Sequence, residues 1–152
     1  MSSRSEDQLL VSAARLMVGI SVRAADQIGE ASLVQLRALT VLDDADGANL
    51  MQLADGMGVT VSTTSRLVDR LVAAGLVDRR PSEVTRREVS ITLTAAGESV
   101  LHRYDDLRLR ELRGRLSRLE PDRRDIVLHG LRELVSTTPE PEGADGRPRP
   151  ST

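Results

Sequence analysis

The chain has 152 residues, of which 39% are hydrophobic and 29% charged, and a formal net charge of -2. That length holds one domain, or a reader module fused to a short assembly module, and the near-neutral balance excludes a protein that binds polyanions by bulk charge. Cysteine is absent, which excludes disulfides, thiolate–metal sites and thiol redox sensing within the chain. With no Phe, no Trp and Tyr104 as the single aromatic, the interior has to be built from aliphatic side chains, which suits helices packed ridge into groove.

Leu9 to Ile28 is rich in Leu, Val, Ala, Ile and Met and is predicted to be a long helix. It is apolar around much of its circumference, so a partner chain is a natural place for the excess. Met1 to Gln8 is polar, and no uninterrupted apolar run approaches the roughly 20 residues that span a bilayer. A soluble, cytoplasmic protein with no membrane partner is expected.

Ser32-Leu33-Val34-Gln35 has the pattern of a capping box opening a second helix through Leu42. Asp43 to Gly47 is turn chemistry. Asn49 then caps a short helix, Leu50 to Asp55, terminated by Gly56 and Gly58. Thr60 caps the next helix, which runs to about Ala74 and stops at Gly75. Leu76–Arg80 and Glu88–Leu93 read as strands. Val89, Ile91 and Leu93 alternate with Ser90 and Thr92, the period of a half-buried strand, and Pro81 to Arg87 forms the hairpin tip. Thr94 caps a long charged helix to about Leu119, and Pro121 opens a final helix ending near Val135. Beyond it, Thr138 to Thr152 carries Pro139, Pro141, Pro148 and Pro150 and no large apolar residue, and is expected to be disordered.

A short helix, a tight turn and a longer helix make a helix-turn-helix, whose second helix can enter a DNA major groove. At about 100° per residue, Leu67, Val68, Leu71 and Val72 face the core. Ser62, Thr63, Arg66, Asp69, Arg70 and Ala73 face outward. Short hydroxyls there can reach phosphates or base edges, and Arg66 can bond a guanine in bidentate fashion. Asp69, three residues on, is placed to orient Arg66.

Charge agrees locally. Residues 57–94 hold six Arg and four carboxylates, a local +2, whereas residues 41–56 hold Asp43, Asp44, Asp46 and Asp55 and no base. Every Lys/Arg position is Arg, which suits phosphate and guanine recognition, although codon bias in a GC-rich genome is the preferred explanation. Arg79, Arg80, Arg86 and Arg87 cluster at the base and tip of the hairpin. A basic hairpin beside such a helix can place Arg in an adjacent minor groove.

The stretch LVQLRALTVL…NLMQLADGMGVTVSTTSRLVDRLVAAGLVDRR…TRREVSITLTAAG resembles the core of the MarR family of bacterial winged helix-turn-helix transcription regulators, over residues 32 to 97. The resemblance implies a mainly α fold of about six helices with a short β-hairpin wing, a winged helix-turn-helix plus a helical dimerisation region. It divides the chain into an N-terminal dimerisation helix (1–31), a DNA-binding domain (32–94), C-terminal dimerisation helices (95–137) and a tail (138–152). It implies a homodimer, usually a repressor, on a pseudo-palindromic double-stranded operator, often released by a small-molecule effector. Ser62, Thr63 and Arg66 match residues that read DNA, with Arg70 and Arg80 assigned to the same surface. Arg86 matches the wing-tip Arg of the minor groove, and Arg87 an Arg held by an acidic partner within the wing.

An Asp usually precedes this Arg pair in the family, and here the position is Thr85. A hydroxyl offers a guanidinium only a neutral hydrogen bond, weaker than a charge-assisted one. Either Glu83 supplies the carboxylate, the reading preferred here, or the wing is held more loosely.

Arg15, Arg23, Arg37, His102 and Tyr104 are the polar groups placed to meet an effector, although each is more simply a surface or capping residue. His102 and His129 lie far apart in sequence, and no nucleophile–base constellation, phosphate loop or zinc-hydrolase motif occurs. Catalysis, a cofactor and a metal are therefore not expected. The alternative from another class is a winged helix turned protein-interaction module; the basic face of Arg66, Arg70, Arg86 and Arg87 argues against it.

Overall fold

The structure is a computed structural model, and it describes residues 3–81 and 89–137. Of the expected hairpin tip, Pro81 falls in a strand instead, and the rest, with Glu83, Thr85, Arg86 and Arg87, lies outside the described residues, as does the expected disordered tail. The elements follow the order read from the sequence: α1 (Ser3–Ile28), α2 (Leu33–Asp44), α3 (Leu50–Met57), α4 (Val61–Ala73), β1 (Val77–Pro81), β2 (Val89–Leu93), α5 (Ala95–Leu116) and α6 (Pro121–Ser136). The chain divides into two compact units between Leu112 and Arg113.

In the first unit the caps sit where the side-chain chemistry puts them. Ser32 and Gln35 exchange backbone and side-chain hydrogen bonds at 2.9 and 3.3 Å, and Asn49 and Gln52 repeat the arrangement at 2.9 and 2.8 Å. Two orphan N–H groups are thereby satisfied at each helix start. α3 runs two residues past the expected end. Gly56 lies inside it, and Gly58 alone terminates it, at φ 67, a left-handed conformation that costs glycine little.

The core is aliphatic, as the composition demands. Leu36, Leu39 and Leu42 form one stripe of α2 and are fully buried, together with Leu53 of α3, Val68 and Leu71 of α4, and Ile91 of β2 within 2% of full burial. Each such side chain contributes roughly 1.5–3 kcal/mol by leaving water. Tyr104 is buried among them, with the Arg108 guanidinium 5.0 Å from its ring centroid.

The sheet is a two-stranded antiparallel pair with register Val77↔Leu93, Arg79↔Ile91 and Pro81↔Val89. A further backbone bridge joins β2 to the loop before α3. Ala48 N donates to Ile91 O (3.1 Å), and Ile91 N donates to Ala48 O (2.8 Å). The start of α5 is locked to the turn that precedes β1: Thr94 Oγ1 donates to Gly75 O (2.6 Å) and accepts from Gly97 N (3.1 Å). Gly97 is required there, because a Cβ would collide with the Leu76 carbonyl oxygen. β2 differs from expectation at one end. Val89 is 53% exposed although Ile91 and Leu93 pack inward, because the hairpin has passed the edge of the core by that position.

α1 buries only Ile20, Ala24 and Ala25 and leaves Leu9, Leu10, Val11 and Val18 exposed. By length and composition it could cross a membrane, but one face of its C-terminal half, with Ala24 and Ala25, packs into the protein core. In the second unit α6, opened by Pro121 in its first turn as expected, buries no residue and exposes Ile126, Leu134 and Val135.

Candidate nucleic-acid interface

α3 and α4 are separated by Gly58, Val59 and Thr60, a turn too short for anything but a sharp change of direction. Thr60 caps α4 by accepting from Thr63 N (3.2 Å), and its hydroxyl donates to Thr63 Oγ1 (3.0 Å). The inward face of α4 is Thr64, Leu67, Val68 and Leu71. It departs from the sequence reading at two positions. Val72, expected in the core, is 38% exposed. Thr64, which the apolar stripe leaves out, takes a fully buried place and donates its hydroxyl back to Thr60 O at 3.0 Å, so the polar group is satisfied without a partner from elsewhere. The physical reason is angular: the stripe is centred between Thr64, Leu67, Val68 and Leu71, and Val72 falls about a quarter turn away.

The outward face is as expected. Ser62, Thr63, Arg66, Asp69, Arg70 and Ala73 are all exposed. Among the described residues neither Arg66 nor Arg70 has an ion-pair partner. Two hydroxyls and two guanidinium groups therefore stand on one side of one helix, with donors available to an anion or a base edge. Asp69 does not orient Arg66. Its Oδ1 accepts from Arg79 Nη2 at 2.5 Å, across to β1.

The strand register explains why. Arg79 stands opposite the buried Ile91 and on the same hairpin face, so it points toward the helical layer, whereas Arg80 stands on the other face opposite Ser90. The Arg80 guanidinium is exposed and meets Asp78 Oδ2 at 3.3 Å. The basic cluster read from the sequence is thus divided in space: Arg79 is turned to α4, and Arg80 is turned outward. Arg86 and Arg87 lie outside the described residues.

Most of the groups considered for an effector have a local occupation. Arg23 forms a two-pronged pair with Glu111 (2.5 and 3.2 Å), whose hydrogen bonds raise the guanidinium pKa. Arg37 donates to Gly56 O at 3.3 Å, and Tyr104 is a core residue. Arg15 and His102 are exposed on α1 and α5. A second two-pronged pair, Arg103–Glu30 at 2.8 and 2.8 Å, ties α5 to the α1–α2 corner; nothing local in the sequence signals it, since the two positions are 73 apart. Its hydrogen bonds hold the Glu30 carboxyl below the usual carboxylate range. Among the described residues no three His, Asp or Glu side chains group closely enough to hold a metal ion.

Comparison with known proteins agrees with this geometry. A family model described as the MarR family matches residues 32–88. The chain is 31% identical over 111 residues to ML2140, an uncharacterized HTH-type transcriptional regulator of Mycobacterium leprae, covering 71% of this chain and 78% of that one. It is 30% identical over 100 residues to YfiV, an uncharacterized HTH-type transcriptional regulator of Bacillus subtilis, covering 66% of this chain but only 62% of that relative's length. Among solved structures, RV1404 from Mycobacterium tuberculosis superposes with a TM-score of 0.80 at 33% identity, covering 92% of this chain and 97% of that one. The fold is shared also by a mutant of MepR from S. aureus, solved bound to an oligodeoxyribonucleotide (TM-score 0.64, 19% identity, 86% of this chain and 96% of that one).

Proposed function

The chain belongs to the MarR family, and on that premise we propose that it is a homodimeric, sequence-specific repressor acting on double-stranded DNA. The observation that carries this reading is the outward face of α4, where Ser62, Thr63, Arg66 and Arg70 are exposed beside a hairpin carrying outward Arg80. α4 enters the major groove, with Arg66 on a base edge and the hydroxyls on phosphate or base. Arg86 takes the adjacent minor groove and Arg87 supports the wing; both roles are carried over from the family. The MepR mutant, a protein of the same fold bound to an oligodeoxyribonucleotide, supports DNA as the partner.

Dimerisation rests on the exposed apolar faces of α1 and α6. Leu9, Leu10 and Val18 on the one, and Ile126, Leu134 and Val135 on the other, are each more than half exposed. Large apolar patches of this kind mark association surfaces, and a second copy is the partner we assign to them. On this reading α1 is an assembly helix of a cytoplasmic protein. A two-fold dimer implies half-sites about one helical turn, ~34–36 Å, apart. The protein acts by occupying a promoter and catalyses nothing. Release by a small molecule is carried over from the family alone; an interior with one tyrosine would offer such a ligand aliphatic contact.

The test is selection of bound sequences from random duplex DNA by the purified chain. The expected product is a pseudo-palindrome with A·T-rich flanks, and Arg86→Ala should retain the core while flattening the flank preference. Recovery of no common sequence, with binding insensitive to salt, would defeat the DNA reading, since phosphate contacts make duplex affinity fall steeply as salt rises.

A further inference from the structure

We propose that the Arg79–Asp69 pair is a brace that sets the hairpin against the recognition helix, and that Asp69 is a positioning residue for DNA reading, not a base-reading one. The inference rests on the DNA-binding function proposed above.

Asp69 is the only carboxylate in α4, and it stands near the middle of the outward face, between Arg66 and Arg70. An unpaired anion there would face phosphates and repel them. Arg66 lies three residues away on the same helix, a spacing at which local ion pairs form readily. The pair instead forms across ten residues of chain, with β1, at 2.5 Å. Asp69 is thus neutralised by a group that belongs to another element, and its Oδ1 is directed at the strand.

The base of the hairpin is seated by Val77 and Ile91, both buried in the core, and by the hydrogen bond from Leu76 N to Leu71 O at 2.9 Å. β2 is fixed by the backbone exchange between Ala48 and Ile91, which anchors it to the loop before α3. These contacts hold the end of the hairpin nearest the core, and Arg79, with its side chain 42% exposed, lies further out along β1. Arg79–Asp69 holds the other strand, on the face that register directs toward α4. The pair adds a side-chain link between β1 and α4 beyond that seated base, where the angle between hairpin and helix sets the distance between a major-groove contact and a contact made by the hairpin beside it.

The side chains of the pair are 42% and 59% exposed in the free protein. Exposed pairs contribute little to stability, since water screens them and side-chain ordering offsets the attraction. DNA bound over α4 would exclude that water and strengthen the pair. The effect should therefore be small on folding and visible on binding.

The experiment uses the full chain with Asp69→Asn, Arg79→Gln, both together, and the reversed pair Asp69→Arg with Arg79→Asp. Thermal unfolding establishes that each variant folds. Affinity is measured for a duplex selected by the wild-type chain and for an unrelated duplex, and selection is repeated with Asp69→Asn. Each single variant should lower the ratio of selected to unrelated affinity by about two- to fivefold, the scale of an exposed pair. The double variant should be no worse than either single one, the reversed pair should restore the ratio, and the selected core bases should be unchanged. A changed base preference at one core position with Asp69→Asn would overturn the brace in favour of base reading, for instance of a cytosine amino group. Additive losses in the double variant, or a folded reversed pair that restores nothing, would overturn it as well. A wild-type chain that selects no duplex removes the DNA reading and the brace together, whereas wild-type selection with an insensitive Asp69→Asn removes the brace alone.

Discussion

The recognition helix and the hairpin beside it both carry Arg, yet they differ in what orients their side chains. In α4 orientation is intrinsic: a 3.6-residue period places every side chain once one buried stripe is known. Leu67, Val68 and Leu71 define that stripe, and Ser62, Arg66 and Asp69 follow on the far side. In the hairpin orientation is relational. Arg79 and Arg80 are chemically identical neighbours, and only pairing with Ile91 and Ser90 across the ladder gives them opposite duties. A helix displays a chemical face of its own, whereas a two-stranded hairpin acquires one from what it is packed against.

The largest expected effect tests the helical side of this contrast. Leu71→Ala removes a fully buried side chain from the α4 stripe and should destabilise the fold by about 2–5 kcal/mol, as core truncations do; chemical denaturation measures it. A loss below about 1 kcal/mol would mean that the stripe does not seat the helix. Next in size is Arg66→Ala, expected to weaken operator binding by about 1–3 kcal/mol and relax preference at one base position while leaving the melting temperature unchanged. Uniform weakening across all sequences would assign Arg66 to phosphate instead. The smallest is a deliberate near-zero in the hairpin. Val89→Ala, at a site 53% exposed, should change stability by no more than about 0.5 kcal/mol, although alternation along β2 would place it in the core. A large loss there would show that the hairpin packs more deeply than its exposure indicates.

Much of the fold is legible along the chain because its signals are local. Ser32/Gln35, Asn49/Gln52 and Thr60 announce helix starts through hydrogen bonds that reach no further than three residues. Gly58 and Gly75 announce ends through a backbone conformation that other residues adopt reluctantly. The departures have equally physical causes. Hydrophobicity alone puts Val72 in the core and passes over Thr64, whereas the angle around the helix decides otherwise, and a threonine that bonds its own helix backbone can be buried without a distant partner. Spacing along α4 pairs Asp69 with Arg66, because proximity in sequence is the only proximity a sequence contains. Arg103–Glu30, Arg23–Glu111 and the Ala48–Ile91 bridge join positions 73, 88 and 43 residues apart, and no pattern along a single chain reports such pairings.

The order of elements, their caps, the aliphatic character of the core and the residues that α4 presents outward are all set by the amino-acid order, since each follows from interactions within a turn or two of chain. Which Arg of the hairpin is spent on Asp69, which strand is pinned to the loop before α3, and where β2 leaves the core are set by folding. Those outcomes depend on strand register and on contacts between elements, which exist only once the chain has turned back on itself.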